Sequence, residues 1–132
     1  MIKPDLQFSV LCDDVRREDN GKFMLLGLFE IIHARKFPAV HPRLFVANRW
    51  CKGTGEFVQR TRVVSAHDNT PLVESPEVTF ALNDLDAHHT VVSEFNNVTF
   101  ATQGRYWVEV LINNELIRSY PMMLVESKKE KA

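Results

Sequence analysis

No stretch of this chain sustains the 3.6-residue apolar period of a helix; apolar residues instead alternate in short runs cut apart by Gly, Pro, Asn and Asp. That pattern commits the chain to strands. Leu6 to Asp13 sets Leu6, Phe8, Val10 and Cys12 on one side and Gln7, Ser9 and Asp13 on the other, interrupted only by Leu11, as in a half-buried strand facing inward through Cys12. The turn signal "RREDNG" (16–21) hands over to "KFMLLGLFEII" (22–32), and a hairpin is expected. The second of these strands carries Phe23, Leu25, Phe29 and Ile31 against Met24, Leu26, Leu28 and Ile32. With no polar face, it is expected to be covered on both sides. Gly27 in its middle and the turn before it favour a strand over a buried helix.

"HARKFPAVHPR" (33–43), with two prolines, reads as the longest loop. Strand-like runs follow at 44–51, 56–65, 78–82 and 90–100, and "GRYWVEVLINNELIRSYP" (104–121) closes the series as a hairpin. About eight short strands spaced by turn residues predict an all-β fold, an antiparallel immunoglobulin-like β-sandwich. It would be a single domain over residues 1–126, with a charged, frayed tail at 127–132. Gly104 and Tyr106, after Phe95 and Phe100, have the spacing of a tyrosine that bonds back to the corner before the penultimate strand.

Composition narrows the function classes. A chain of 132 residues with 45% hydrophobic and 25% charged content can build a core without staples. Sixteen basic against seventeen acidic residues leave a net charge of −1, no footprint for a polyanion, so no nucleic-acid partner is expected. No apolar run is long enough for a membrane span or a signal segment, which predicts a cytoplasmic protein with no membrane partner. Cys12 and Cys51 are too far apart for a CxxC site and are expected as buried thiols.

In the terminal hairpin, Asn113-Asn114 suits the two central positions of a type I′ turn. A plain two-residue turn pairs Leu111 with Leu116, Val110 with Ile117, Glu109 with Arg118 and Trp107 with Tyr120, and directly opposed residues share a face. Tyr106, Val108, Val110, Ile112 and Ile117 then face the core. The other face shows Trp107, Glu109, Leu111, Leu116, Arg118 and Tyr120. Cross-strand stabilisation accounts for such pairs. The residue types also match those enriched at interface hot spots, so this face is the candidate interaction surface, covered by a homodimer, by another protein, or by the 33–43 loop of the same chain.

Catalytic and ligand constellations are thin. Asp13, Asp14, Glu18 and Asp19 cluster in one loop and Asp84 with Asp86 in another, but no calcium-loop spacing is present. His33, His41, His67, His88 and His89 offer no H-x-x-x-H spacing, and adjacent His88 and His89 on a strand point to opposite faces. G-x-S-x-G is absent, and "KGTGE" (52–56) opens a strand rather than a phosphate-cradling helix. Arg60 and Arg62 share a strand face near Arg49 and could hold an acidic ligand, though such ladders usually pair with Glu or Asp.

Three stretches, "VLCDDVRREDNGKFMLLGLFEII" (10–32), "FPAVHPRLFVANRW" (37–50) and "GRYWVEVLINNELIRSYPMMLV" (104–125), resemble an uncharacterised bacterial family of small β-sandwich domains. The resemblance spans most of the chain, with 66–90 least distinctive. It implies a bacterial origin and a sandwich fold and assigns no catalytic residue. The expectation is therefore a non-catalytic protein interaction or assembly module, not an enzyme, with no cofactor and no metal. The alternative is a ligand- or metal-binding domain, with enzymatic activity as an option, built on the loops of Asp13, Asp14, Asp84, Asp86 and the histidines.

Overall fold

The alternating runs fold into ten strands in a computed structural model that describes residues 1–127. They are β1 (Asp5–Arg17), β2 (Phe23–Phe29), β3 (Ile31–Ala34), β4 (Ala39–Cys51), β5 (Gly55–Ser65), β6 (Pro71–Glu74), β7 (Val78–Leu82), β8 (His88–Phe100), β9 (Gly104–Ile112) and β10 (Glu115–Glu126). One sheet has the order β2-β1-β4-β8; the other runs β3-β10-β9-β5-β6, with β7 also on β5. Among the described residues no helix is long and apolar enough to cross a membrane. Of the expected tail, Ser127 is tied down by its N–H to Ala34 O at 2.7 Å, and the rest lies outside the described residues.

Two expectations about the strands are corrected. The run 22–32 is two strands: Glu30 is the corner at which the chain leaves β2 in one sheet and enters β3 in the other. Met123 N donates to Glu30 O at 3.0 Å there, and β3 then pairs parallel with β10, so the sandwich is not wholly antiparallel. The long loop shrinks to 35–38 around a cis Phe37-Pro38 bond, because β4 begins at Ala39 and keeps Pro42 within it. It is too short to cover a sheet face.

Register in β1 is set by a bulge. Leu6 opposes Trp50 but Phe8 opposes Arg49, so one extra residue switches the inward set. Leu6 enters the core, and after the bulge Leu11 does so, opposite Val46. Phe8, Val10 and Cys12 therefore turn to the outer side of the sheet, which corrects the inward placement of Cys12. That thiol is nonetheless fully buried, between Leu28 on β2 and Phe45 on β4.

The interior holds two apolar clusters. One gathers Leu11, Leu44, Val46, Val63, Phe95, Val98, Phe100, Val108, Met122 and Leu124; the other gathers Leu6, Trp50, Phe57, Phe80, Leu82, Val91, Val110 and Ile112. A buried polar row separates them, since Asn48 falls between Val46 and Trp50 on β4, and Gln59 and Thr61 fall between Phe57 and Val63 on β5. Trp50 Nε1 can only donate, so its 3.0 Å bond fixes Gln59 Oε1 as an acceptor. Asn48 must then present Nδ2, which donates to Gln59 Oε1 at 3.0 Å and to Thr61 Oγ1 at 2.9 Å. This row links β4 to β5 across the sandwich and locks the sheets in one relative position.

Candidate functional site

Asn113 and Asn114 both adopt positive φ, at 48° and 66°, and the turn opposes Ile112 to Glu115 and Leu111 to Leu116. The next pair departs from uniform alternation: a bulge at Ile117 brings Arg118 opposite Val110, and then Ser119 opposite Glu109, Tyr120 opposite Val108 and Pro121 opposite Trp107. Before its pairing with β3 begins at Met123, β10 is a sheet edge, a usual place for a bulge. Half-buried Ile117 packs against the Trp50 cluster.

The six residues expected on one face are consequently divided. Tyr120 turns inward with Val108, packs on the Met122 cluster and shares a 2.8 Å hydrogen bond with Ser9 Oγ. Burial pushes its phenol up to about 12. Arg118 follows Val110 and donates Nη2 to Leu6 O at 3.1 Å. The Trp107–Tyr120 and Glu109–Arg118 pairs do not form. Glu109 instead accepts from Arg62 Nε at 2.6 Å, and Arg60 and Arg62 both reach Glu74, at 3.2 and 3.7 Å. Trp107 is half-buried beneath the Arg105 guanidinium, Leu111 is buried beside Arg60, and Leu116 alone of the six apolar and charged groups stays a broadly exposed hydrophobe at 48%. The outer side of this sheet is an ionic ladder.

Exposed apolar surface lies on the other sheet. β2 is its edge strand, "FMLLGLF", with neither charge nor proline, and Met24, Leu26 and Leu28 are 40%, 37% and 61% exposed. Register places these three on the outer side with Arg16, Asp14 and Cys12 of β1. The adjoining rows, Cys12–Phe45 and Val10–Ala47–Val92, are apolar too, but Cys12, Phe45 and Ala47 are buried, with the Arg43 guanidinium 5.2 Å from the Phe45 ring centre, so the exposed apolar surface is that of β2 itself. The two-faced apolar character of 22–32 signalled this strand; which sheet would carry it depended on the corner at Glu30, for which alternation gives no sign.

The acidic and histidine-containing loops do not converge. Asp14 is held by Arg16 at 3.0 Å and Arg43 at 3.7 Å, and the Arg16 hydrogen bond is the main cause that lowers its carboxyl below the ordinary range. Asp84 Oδ1 accepts from Asp86 N at 2.9 Å in a local turn. Among the described residues no three His, Cys, Asp or Glu side chains are grouped to hold a metal ion. Burial raises the Cys12 thiol, and Asp13 and Asp14 add to the shift, so the thiolate is disfavoured.

His41 lies beside Phe29, ring centroids 6.2 Å apart, and burial pushes its imidazole below the ordinary value of 6.5, opposed in part by Asp13. His89, stacked on Phe80 at 5.1 Å, is lowered by burial as well. Depressed folded-state values mean that the unfolded chain takes up these protons first. Stability from both groups is complete above pH 6.5 and is lost as pH falls below it. Urea midpoints are expected to fall between neutral and mildly acidic pH, and His41→Gln should flatten that fall; a midpoint that does not move with pH would remove this account.

No curated protein matches the chain. Among solved structures it is similar to the β-glucosidase of Listeria innocua, at 12% identity and a TM-score of 0.54, over 94% of this chain and 16% of that one. It is also similar to the alkylpurine DNA glycosylase AlkC of Pseudomonas fluorescens, at 15% identity and a TM-score of 0.49, over 73% and 28% of the two chains. The first likeness concerns the fold alone, and the chain spans a minor part of either neighbour. The description that fits nearly the whole chain is a family model matching residues 7–125, and by it the protein belongs to DUF6941, a family of unknown function.

Proposed function

We propose that this protein is a non-catalytic interaction and assembly module that associates through the β2 edge of the β2-β1-β4-β8 sheet. The observation that carries this reading is the exposed, uncharged apolar strand at 23–29. Edge strands of soluble domains are ordinarily blunted by charge, proline or cover, because their free N–H and C=O groups template pairing. Met24, Leu26 and Leu28 give that edge an exposed apolar face. The partner is a second copy of the chain, pairing β2 with β2 about a two-fold axis, the commonest symmetry of soluble homo-oligomers. This reading replaces the terminal-hairpin face, whose outer side is occupied by Arg60, Arg62, Glu74 and Glu109.

The immunoglobulin-like arrangement belongs to the same proposal, and Tyr106 supports it: its hydroxyl donates to Thr102 O at 2.6 Å, the tyrosine-corner bond. A cytoplasmic setting accords with two buried cysteines left as free thiols.

Light scattering after size exclusion tests the assembly. The wild type should elute at twice the 15.2 kDa chain mass at high micromolar concentration. Leu28→Lys should be monomeric with its fold intact, while Leu116→Lys, on the other sheet, should remain dimeric. A monomeric wild type, or a dimer that survives Leu28→Lys, would overturn the proposal.

A further inference from the structure

A depression of about 670 Å³ lies between the tip of the β1–β2 hairpin and the ends of β4 and β8, so the hairpin tip comes over residues far from it in the ladder. One wall is Arg17 and Lys22; the other is Arg49, His88, His89 and Thr90. The turn is rigidly closed, with Glu18 N bonded to Lys22 O and Gly21 N to Glu18 O, both at 2.8 Å. Arg17 is held there by donating Nε and Nη2 to Gly21 O at 3.3 and 3.1 Å, its guanidinium 4.4 Å from the Phe23 ring centre. Across the depression Arg49 Nη1 donates to Thr90 Oγ1 at 3.3 Å.

Among the described residues no carboxylate lines this space. Lys3, Arg16, Arg43, Arg60 and Arg62 each have an acidic partner, whereas among the described residues none pairs with Arg17, Lys22 or Arg49. Three uncompensated cations thus meet in one concavity of a chain whose net charge is −1. A concave site concentrates the field of the like charges that line it. The guanidinium and ammonium groups retain N–H donors for an anion, and burial keeps the His89 ring largely neutral at pH 7, a hydrogen-bonding rather than a charged lining.

We propose that this depression binds a small phosphorylated molecule, with Arg17, Lys22 and Arg49 holding its phosphate oxygens. Three cations suit a group carrying two or more negative charges better than a single carboxylate. The volume falls within the range of small-molecule sites, and the near-neutral remainder of the surface offers no track for a nucleic acid. The site is separate from the Leu26–Leu28 strip, and its occupancy does not depend on self-association.

Titration of the 15N-labelled chain with inorganic pyrophosphate, followed by amide shifts, tests it. Saturable shifts are expected at 17–23, 49 and 88–90, and Lys22→Gln and Arg49→Gln should each weaken affinity roughly fivefold or more, while Arg105→Gln leaves it unchanged. The spectra report whether each variant is folded; if Arg49→Gln is not, Lys22→Gln at its exposed turn position decides alone. Shifts that do not saturate, shifts of equal size around Lys3 and Arg105, citrate binding as tightly as pyrophosphate, or an oligonucleotide binding more tightly would each overturn it.

Discussion

Gln59→Leu is expected to cost about 2–4 kcal/mol of stability and to lower the melting temperature by roughly 10 °C. The leucine fills a similar volume, so the loss comes from polar groups rather than a cavity. Trp50 Nε1 would be left without an acceptor in the core, and Asn48 Nδ2 would keep only Thr61 Oγ1. Each stranded donor costs about 1–3 kcal/mol. Asn48→Leu added to Gln59→Leu should cost less than the sum of the two single changes, because the pair already contains Asn48 Oδ1 and Gln59 Nε2 without protein partners among the described residues. Equilibrium urea unfolding of the four proteins gives the coupling directly. Additive losses would mean that the row is not the connected network its distances describe.

Much of that network is legible in alternation alone. Asn48 stands at the inward positions of a strand reading Leu44, Val46, Asn48, Trp50, and Gln59 and Thr61 follow Phe57 in the same way. Polar residues in an inward row announce a buried hydrogen-bonded cluster, although neither pattern says which strand the partner is on. The Asn113-Asn114 turn and its first two pairs are equally legible, because only residues tolerant of positive φ fit there.

The bulges at Ile117 and between Leu6 and Phe8 are not: Leu116-Ile117 presents an apolar side chain on either parity, and Leu6-Gln7-Phe8 alternates cleanly, so that only Leu11 breaks the pattern. One extra residue reverses every side chain beyond it, which is why Tyr120 turns inward, Arg118 stands opposite Val110 rather than Glu109, and Cys12 lies outward. The basic depression was hidden for a different reason. Arg17 and Lys22 lie in a polar turn, Arg49 in one strand and His88 at the start of another, and only the path of the hairpin joins them.

Gly27→Ala is expected to destabilise the β1–β2 hairpin by about 2–3 kcal/mol. Two causes act together. Gly27 has φ of +70°, where an L side chain is strained by about 1–2 kcal/mol, and an added Cβ would lie 2.5 Å from Asp13 Oδ2 and 3.1 Å from Asp13 Cβ. The two are separable. Asp13→Gly in the Gly27→Ala background removes the crowding and leaves the backbone strain, so it should recover part of the loss, and Gly27→Asn, which tolerates positive φ, should be milder in backbone terms while retaining the clash. Because the same hairpin carries Leu26 and Leu28 on its edge and Arg17 and Lys22 at its tip, Gly27→Ala should weaken both self-association and pyrophosphate binding. Leu28→Lys should abolish only the first and Lys22→Gln reduce only the second. Hydrogen exchange would place the damage: protection lost in 13–29 and retained in β5 and β9 is the expected result, and uniform loss across both sheets would show that Gly27 supports the whole sandwich rather than this one hairpin.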